Sequence, residues 1–196
     1  NSPHDLWVTA RARHRLPIGD GAMGFWAALE EIFPTTKQQR CWMHKTGNVL
    51  NYLPKRTQPK AKKMLHDIWQ AETREDAHYA FDLFIETFEA KYPKASECLI
   101  KDRDELLTFY DFPAQHWQSI RTSNPIESGF ATIRHRTKRT KGCLSRNGML
   151  HMMFKLGQCA EKSWRKLRGF AHLADLIQGV DFVNGIKSSN QDQAAA

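Results

Sequence analysis

The sequence predicts a mostly helical chain carrying a few short strands, on three observations. Apolar residues recur at helical spacing over most of its length, as in the stripe Ala77, Phe81, Phe84 and Phe88. Prolines and capping residues punctuate these periods at Pro34, Pro59, Pro93, Pro113 and Asn124-Pro125. Only Leu16–Gly19 and Gln38–Met43 read as strands, and both are short.

Residues 1–15 show no clear period. After the first strand, Ala22, Phe25, Trp26, Leu29 and Phe33 fall at helical spacing. Asp20 is placed to cap that helix and Pro34 to end it. The second strand leads into a helix that runs through Leu53. Pro54 to Pro59 is a break, and Pro59 suits the first position of the next helix. From there to Tyr110 the pattern is helical almost throughout, interrupted at Pro93. Asp111-Phe112-Pro113 is a further break. Asn124-Pro125-Ile126-Glu127 combines a capping residue, a first-turn proline and an acid, and predicts a helix to about Lys138. Thr140 to Ser145 reads as a polar loop, and Ser145 as the cap of a long helix. That helix carries Met149, Met153, Leu156, Ala160, Trp164 and Leu167 on one face, an expected core stripe. Beyond about Lys187 the residues are polar, and 187–196 is expected to be a disordered tail.

A chain of 196 residues fits one domain, or one domain with an insertion, and can bury a sizeable core. No apolar run approaches the roughly 18 residues of a membrane span, and the first residues lack the apolar core of a signal peptide. Cys41, Cys98, Cys143 and Cys159 are too scattered for a disulfide framework, so a reducing, cytoplasmic compartment is expected. Asn1 stands where a Met would start a gene product, and the chain is expected to be a fragment. The net charge of +8 is unevenly distributed. Glu72–Asp111 holds eleven acids against five bases, a net of −6, whereas Phe112–Phe170 holds twelve bases against two acids, a net of +10. The basic stretch has the electrostatic footprint of a polyanion binder; a solvated basic face without a partner is the alternative.

Three local motifs bear chemistry: Gly19-Asp20-Gly21, Arg40-Cys41-Trp42-Met43-His44 and Thr122-Ser123-Asn124-Pro125-Ile126-Glu127-Ser128. Taken alone, Asp20 reads as a helix cap or a functional carboxylate, and Glu127 as a capping-box acid or a functional one. Cys41 and His44 supply half the spacing of a zinc site, with no second pair to complete four ligands. Trp42 and Trp117 read as core residues, or as surfaces on which an unpaired base stacks. Arg134, Arg136, Lys138, Arg139, Lys141 and Arg146 form a run without an acid, suited to phosphate contacts that position DNA without reading its sequence.

Together the three motifs, in this order, resemble the bacterial insertion-sequence transposases of the Mutator type, the IS256-like family. GDGAMGFWAALEEIFP resembles the family's second catalytic aspartate and its following helix, QQRCWMHKTGNVLNYLP its Cys-x-x-His signature, and RTSNPIESGFATIRHRTKRTKGCLSR the segment of the catalytic glutamate. The likeness runs from about Leu16 to Gly185. It implies an RNase H-like α/β core, incomplete here, interrupted by an all-helical insertion. The implied boundaries are an unmatched segment 1–15, a second part of the core at 16–52, the insertion at 53–117 and the C-terminal part of the core at 118–186. It assigns Asp20 and Glu127 as catalytic, Mg²⁺-holding residues of a two-metal centre, and places Cys41, His44 and Asn124 near it. Carboxylates suit this role because Mg²⁺ prefers hard oxygen donors and in-line displacement at phosphorus needs charge stabilised on two oxygens. The implied activity is DNA cleavage and strand transfer on transposon ends and target DNA, with no membrane partner and with a homo-oligomer left open. The family's first aspartate has no counterpart here, since Ser2 to Arg13, including Asp5, matches no family segment. The expectation is a truncated, inactive form; a non-catalytic DNA-binding protein or regulator is the alternative, followed by a helical interaction domain with incidental charge.

Overall fold

Two strands of two residues each pair in parallel near the start of the described chain: β1 (Ile18–Gly19) and β2 (Gln39–Arg40), with Ile18 opposite Gln39 and Gly19 opposite Arg40. In the computed structural model the described residues are 16–188, apart from 22, 35, 140–144, 163 and 165. The connection between the strands is α1 (Met23–Ile32), which stops just before Phe33-Pro34. A parallel pair needs such a crossover, because a tight turn would reverse the second strand. The stripe expected on α1 is only half-buried at Trp26, Leu29 and Phe33.

Helix α2 (Trp42–Leu50) follows β2 directly, three residues shorter than the sequence suggests. It is followed by α3 (Gln58–Gln70), α4 (Arg74–Phe88), α5 (Pro93–Ile100) and α6 (Arg103–Leu107). Two 3₁₀ turns, Thr108–Asp111 and Ala114–His116, lead to α7 (Trp117–Ile120). The prolines act as expected: Pro59 lies in the first turn of α3 and Pro93 opens α5. Thr73 caps α4, its side chain accepting from the Asp76 N–H at 3.1 Å.

The main core is helical. Ala77, Phe81 and Phe84 have no exposed surface and Phe88 almost none, so the stripe of α4 is buried as predicted. It packs with Leu65 and Ile68 of α3, Leu99 of α5, Leu106 and Leu107 of α6, and Phe109 and Tyr110. Each fully buried Phe or Leu contributes about 1.5–3 kcal/mol of transfer free energy.

Past the long helices, α10 (His172–Gln178) precedes an antiparallel hairpin, β3 (Phe182–Val183) and β4 (Ile186–Lys187). Sequence reasoning missed this hairpin. Its turn is Asn184-Gly185, both with positive φ (49° and 79°), the conformation that favours Asn-Gly between twisted strands. The turn is bonded to distant chain: Gly185 N–H donates to Tyr110 O at 3.2 Å, and Ala114 N–H to Gly185 O at 3.1 Å. The Asn184 amide also accepts from Arg74 N–H at 2.9 Å and donates to Glu75 Oε2 at 3.1 Å.

The chain divides into two compact units. Of the described residues, one takes in those up to Thr122 and those from Arg168 onward; the other is drawn from Ser123–Leu167. The second consists of α8 (Asn124–Arg139) and α9 (Arg146–Glu161), packed on each other. Ser145 caps α9 as predicted, its hydroxyl accepting from Gly148 N–H at 3.1 Å. The expected core stripe of α9 is not a core. None of its residues is fully buried, and Met149, Met153 and Trp164 are 39%, 40% and 63% exposed. Two helices cover only the strip between them, so a wider apolar face stays open. The expected tail at 187–196 is corrected at its start, because Lys187 pairs with Phe182 in β4 and Ser188 N–H donates to Asp181 O at 2.9 Å; 189–196 lie outside the described residues.

Candidate active site

Asp20 occupies the position just past the C-terminal end of β1 and is exposed. Ligands of parallel sheets gather at this end of the strands. The two glycines around it serve close packing. A Cβ on Gly19 would fall 2.7 Å from Cζ2 of Trp26 in α1, and one on Gly21 would fall 1.1 Å from Nη1 of Arg40. Gly21 also has φ +97°, which side chains rarely adopt. The Gly-Asp-Gly motif thus presents one carboxylate from a backbone clasped on both sides.

The neighbouring strand end carries the Cys-x-x-His motif. Cys41 N–H donates to Gly19 O at 2.8 Å, extending the pairing to the residue before Asp20. Cys41 is buried at the N-cap of α2, and His44 is half-buried one turn on. Trp42 is fully buried and its indole donates to Leu106 O at 2.8 Å, so the core reading holds. Trp117 is partly buried against the same core, with its indole donating to Phe112 O at 2.8 Å.

Sequence reasoning missed a charged cluster behind this edge. Arg40 Nε donates to Asp102 Oδ2 at 2.8 Å, and the Lys45 ammonium contacts the same oxygen while donating to Cys98 O at 2.7 Å. The three side chains are only 11%, 1% and 14% exposed for Arg40, Lys45 and Asp102. Burial pushes the Asp102 carboxyl upward, but the hydrogen bond and charge of Lys45, with those of Arg40, outweigh it and hold it below the usual carboxylate range. One signal was available: Lys45 shares the buried face of α2 with Trp42 and Val49, where a cation needs a partner. Gln39, also fully buried, ties β2 to the same helical region by donating to Leu106 O at 3.1 Å and accepting from Phe109 N–H at 2.8 Å.

The exit from the first unit is anchored at the same place. Trp42 N–H donates to Arg121 O at 3.0 Å. The Arg121 guanidinium lies over the Trp69 ring, 4.7 Å from its centroid, and burial lowers its pKa. Thr122, the next residue, is buried.

In the second unit, Glu127 is exposed in the first turn of α8. Its carboxylate accepts a hydrogen bond from the Ser123 hydroxyl, and Glu127 N–H donates to Ser123 O at 3.1 Å. Ser123 is therefore the residue that precedes the helix, and Asn124, the expected cap, is its exposed first residue. Arg134, Arg136, Lys138 and Arg139 are exposed on α8, and Arg146 is exposed at the start of α9. Lys141 lies outside the described residues.

Among the described residues, no three His, Cys, Asp or Glu side chains form a group able to hold a metal ion by themselves. Asp20 and Glu127, one in each unit, are exposed hard-oxygen donors, the kind that Mg²⁺ takes together with several waters. In chemistry the donors fit that ion.

The model of the family described as "Transposase, Mutator family" matches residues 13–166. The chain belongs to the Mutator family of transposases. Among its relatives, the transposase for insertion sequence element IST2 of Acidithiobacillus ferrooxidans is 56% identical over 174 residues, covering 89% of this chain and 59% of that protein. The transposase for IS6120 of Mycolicibacterium smegmatis is 50% identical over 163 residues, covering 83% and 50%. That for IS905 of Lactococcus lactis is 30% identical over 167 residues, covering 84% and 42%. This Mutator-family chain therefore spans about half the length of the curated relatives it matches. None of its described helices is long and apolar enough to cross a membrane.

Proposed function

We propose that this chain supplies part of the catalytic centre of a DNA transposase, with Asp20 and Glu127 as two of its carboxylates and an RNase H-like core as its framework. The observation that carries the reading is the setting of Asp20: an exposed carboxylate past the end of a parallel strand, clasped between two tightly packed glycines. Glu127 joins the reading through its segment, which resembles that of the family's catalytic glutamate and sets it exposed in the first turn of α8.

Asp20 and Glu127 would hold Mg²⁺, which when bound stabilises charge on the attacking and leaving oxygens of a phosphodiester. Asp20 contributes a carboxylate set between two closely packed glycines. Glu127 contributes one whose hydrogen bond from Ser123 selects its rotamer. Arg134, Arg136, Lys138, Arg139, Lys141 and Arg146 neutralise DNA phosphates on either side of the reacting bond.

Iron-directed cleavage tests the reading without requiring turnover. Fe²⁺ in place of Mg²⁺, with ascorbate and peroxide, cuts the backbone beside the residues that hold it. The expected result is two cut sites, near 20 and near 127, both suppressed by Asp20→Asn and both by Glu127→Gln. Cuts at only one position, or suppression of each only by its own variant, would mean that the two carboxylates share no metal. DNA binding that persists in both variants, without any shared metal, would favour the non-catalytic DNA-binding reading.

A further inference from the structure

We infer that Arg40 is a positioning residue for Asp20, acting through the backbone of Gly21. The inference rests on the reading of Asp20 as a metal-holding carboxylate, and assigns to that site a residue the motifs do not mark. Arg40 is the cross-strand partner of Gly19, and its guanidinium lies against Gly21. A Cβ on Gly21 would meet Nη1, Cζ and Nη2 of Arg40 at 1.1, 1.8 and 2.1 Å, so the flat group occupies the space where a side chain would stand. Trp26 fills the corresponding space at Gly19. Asp20 is thereby held from both neighbours, by a ring on one side and a guanidinium plane on the other.

The plane is itself held. Its Nε donates to Asp102 Oδ2 at 2.8 Å, and Asp102 is anchored in turn by the buried Lys45 ammonium. Asp102 is the residue before α6, so the helical region downstream of β2 sets the angle at which Arg40 meets Gly21. A residue of this kind fixes a metal-holding group without touching the metal, and removing one typically weakens metal binding 10–100-fold.

Arg40→Lys separates this role from a structural one. It keeps a cation for Asp102 but has no plane to lie on Gly21. Mn²⁺ binding to the purified chain, followed by electron paramagnetic resonance, is the readout, with a thermal melt of each variant beside it. The expected result is an Asp20-dependent Mn²⁺ site in the wild type, weakened about 10-fold or more in Arg40→Lys at little change in melting temperature. Gly21→Ala should weaken the site too. In the Arg40→Ala background the same glycine change should cost less than it does alone, because the clash is gone and only the backbone strain remains. Unchanged affinity in Arg40→Lys, or fully multiplicative effects of Gly21→Ala and Arg40→Ala, would overturn the inference. A wild-type chain without Asp20-dependent Mn²⁺ binding would instead overturn the reading of Asp20 on which it rests.

Discussion

Replacing Asp102 by Asn should destabilise the chain by about 3 kcal/mol at neutral pH, the low end of the usual cost of removing one partner from a buried ion pair. The low end applies because Asp102 keeps 14% of its side chain in contact with solvent. The loss arises on the other side of the pair. The Lys45 ammonium, 1% exposed, keeps Cys98 O as an acceptor but loses its counter-charge, and Arg40 stays beside it with the same sign. For a chain of this size, about 3 kcal/mol corresponds to a melting temperature lower by roughly 6–12 °C. Urea unfolding at pH 7 and at lower pH measures it. The folded state holds Asp102 charged to lower pH than the unfolded chain does, because its pKa is depressed. The stabilisation is therefore complete above roughly pH 5 and is lost as pH falls through the depressed value. The gap between wild type and Asp102→Asn should narrow in acid. Equal stability at pH 7, or a gap that widens on acidification, would refute the claim that two cations depend on this carboxylate.

Other expectations follow from the geometry. Phe84→Ala removes a fully buried ring that contacts Phe88 at 4.7 Å between centroids, and should cost about 3–5 kcal/mol in urea unfolding. Gly185→Ala would place a Cβ 2.6 Å from that of Ala114 at φ +79°; a loss of about 2 kcal/mol or more is expected, with faster amide exchange around Tyr110 and Ala114. Arg134→Ala should weaken DNA binding at low salt and lower the slope of log affinity against log salt by about 0.9, with no change in melting temperature.

Much of the helical architecture was legible because its cause is periodic. Ala77, Phe81, Phe84 and Phe88 are buried as their spacing requires, and Pro59, Pro93 and Ser145 mark the helix starts they suggest. Of the two parallel strands, β1 was legible as a short apolar segment before Asp20, while the second, expected over Gln38–Met43, is confined to Gln39–Arg40 because the helix starts at Trp42. What was not legible depends on contacts between distant residues. Nothing near Asp102 in sequence announces Arg40 and Lys45, 62 and 57 positions away. The Met149–Leu167 stripe was misjudged because periodicity reports an apolar face but not what covers it. Helix α8 starts one residue earlier than the sequence suggests, since Ser123 and Asn124 are both residues that favour a helix start and only the backbone bond from Glu127 N–H to Ser123 O distinguishes them. The Asn184-Gly185 dipeptide, by contrast, was a signal present in the sequence and passed over.

That dipeptide also sets an order of events during synthesis. Its bond to Arg74 joins residues 110 positions apart, and its glycine closes over Tyr110. The helical core of α2–α6 lies upstream of residue 111 and can form before this turn emerges, whereas the bonds of the turn to Arg74 and Tyr110 wait for residue 185. A nascent chain stalled before residue 185 would hold that core already packed, with the carbonyl of Tyr110 still waiting for its donor.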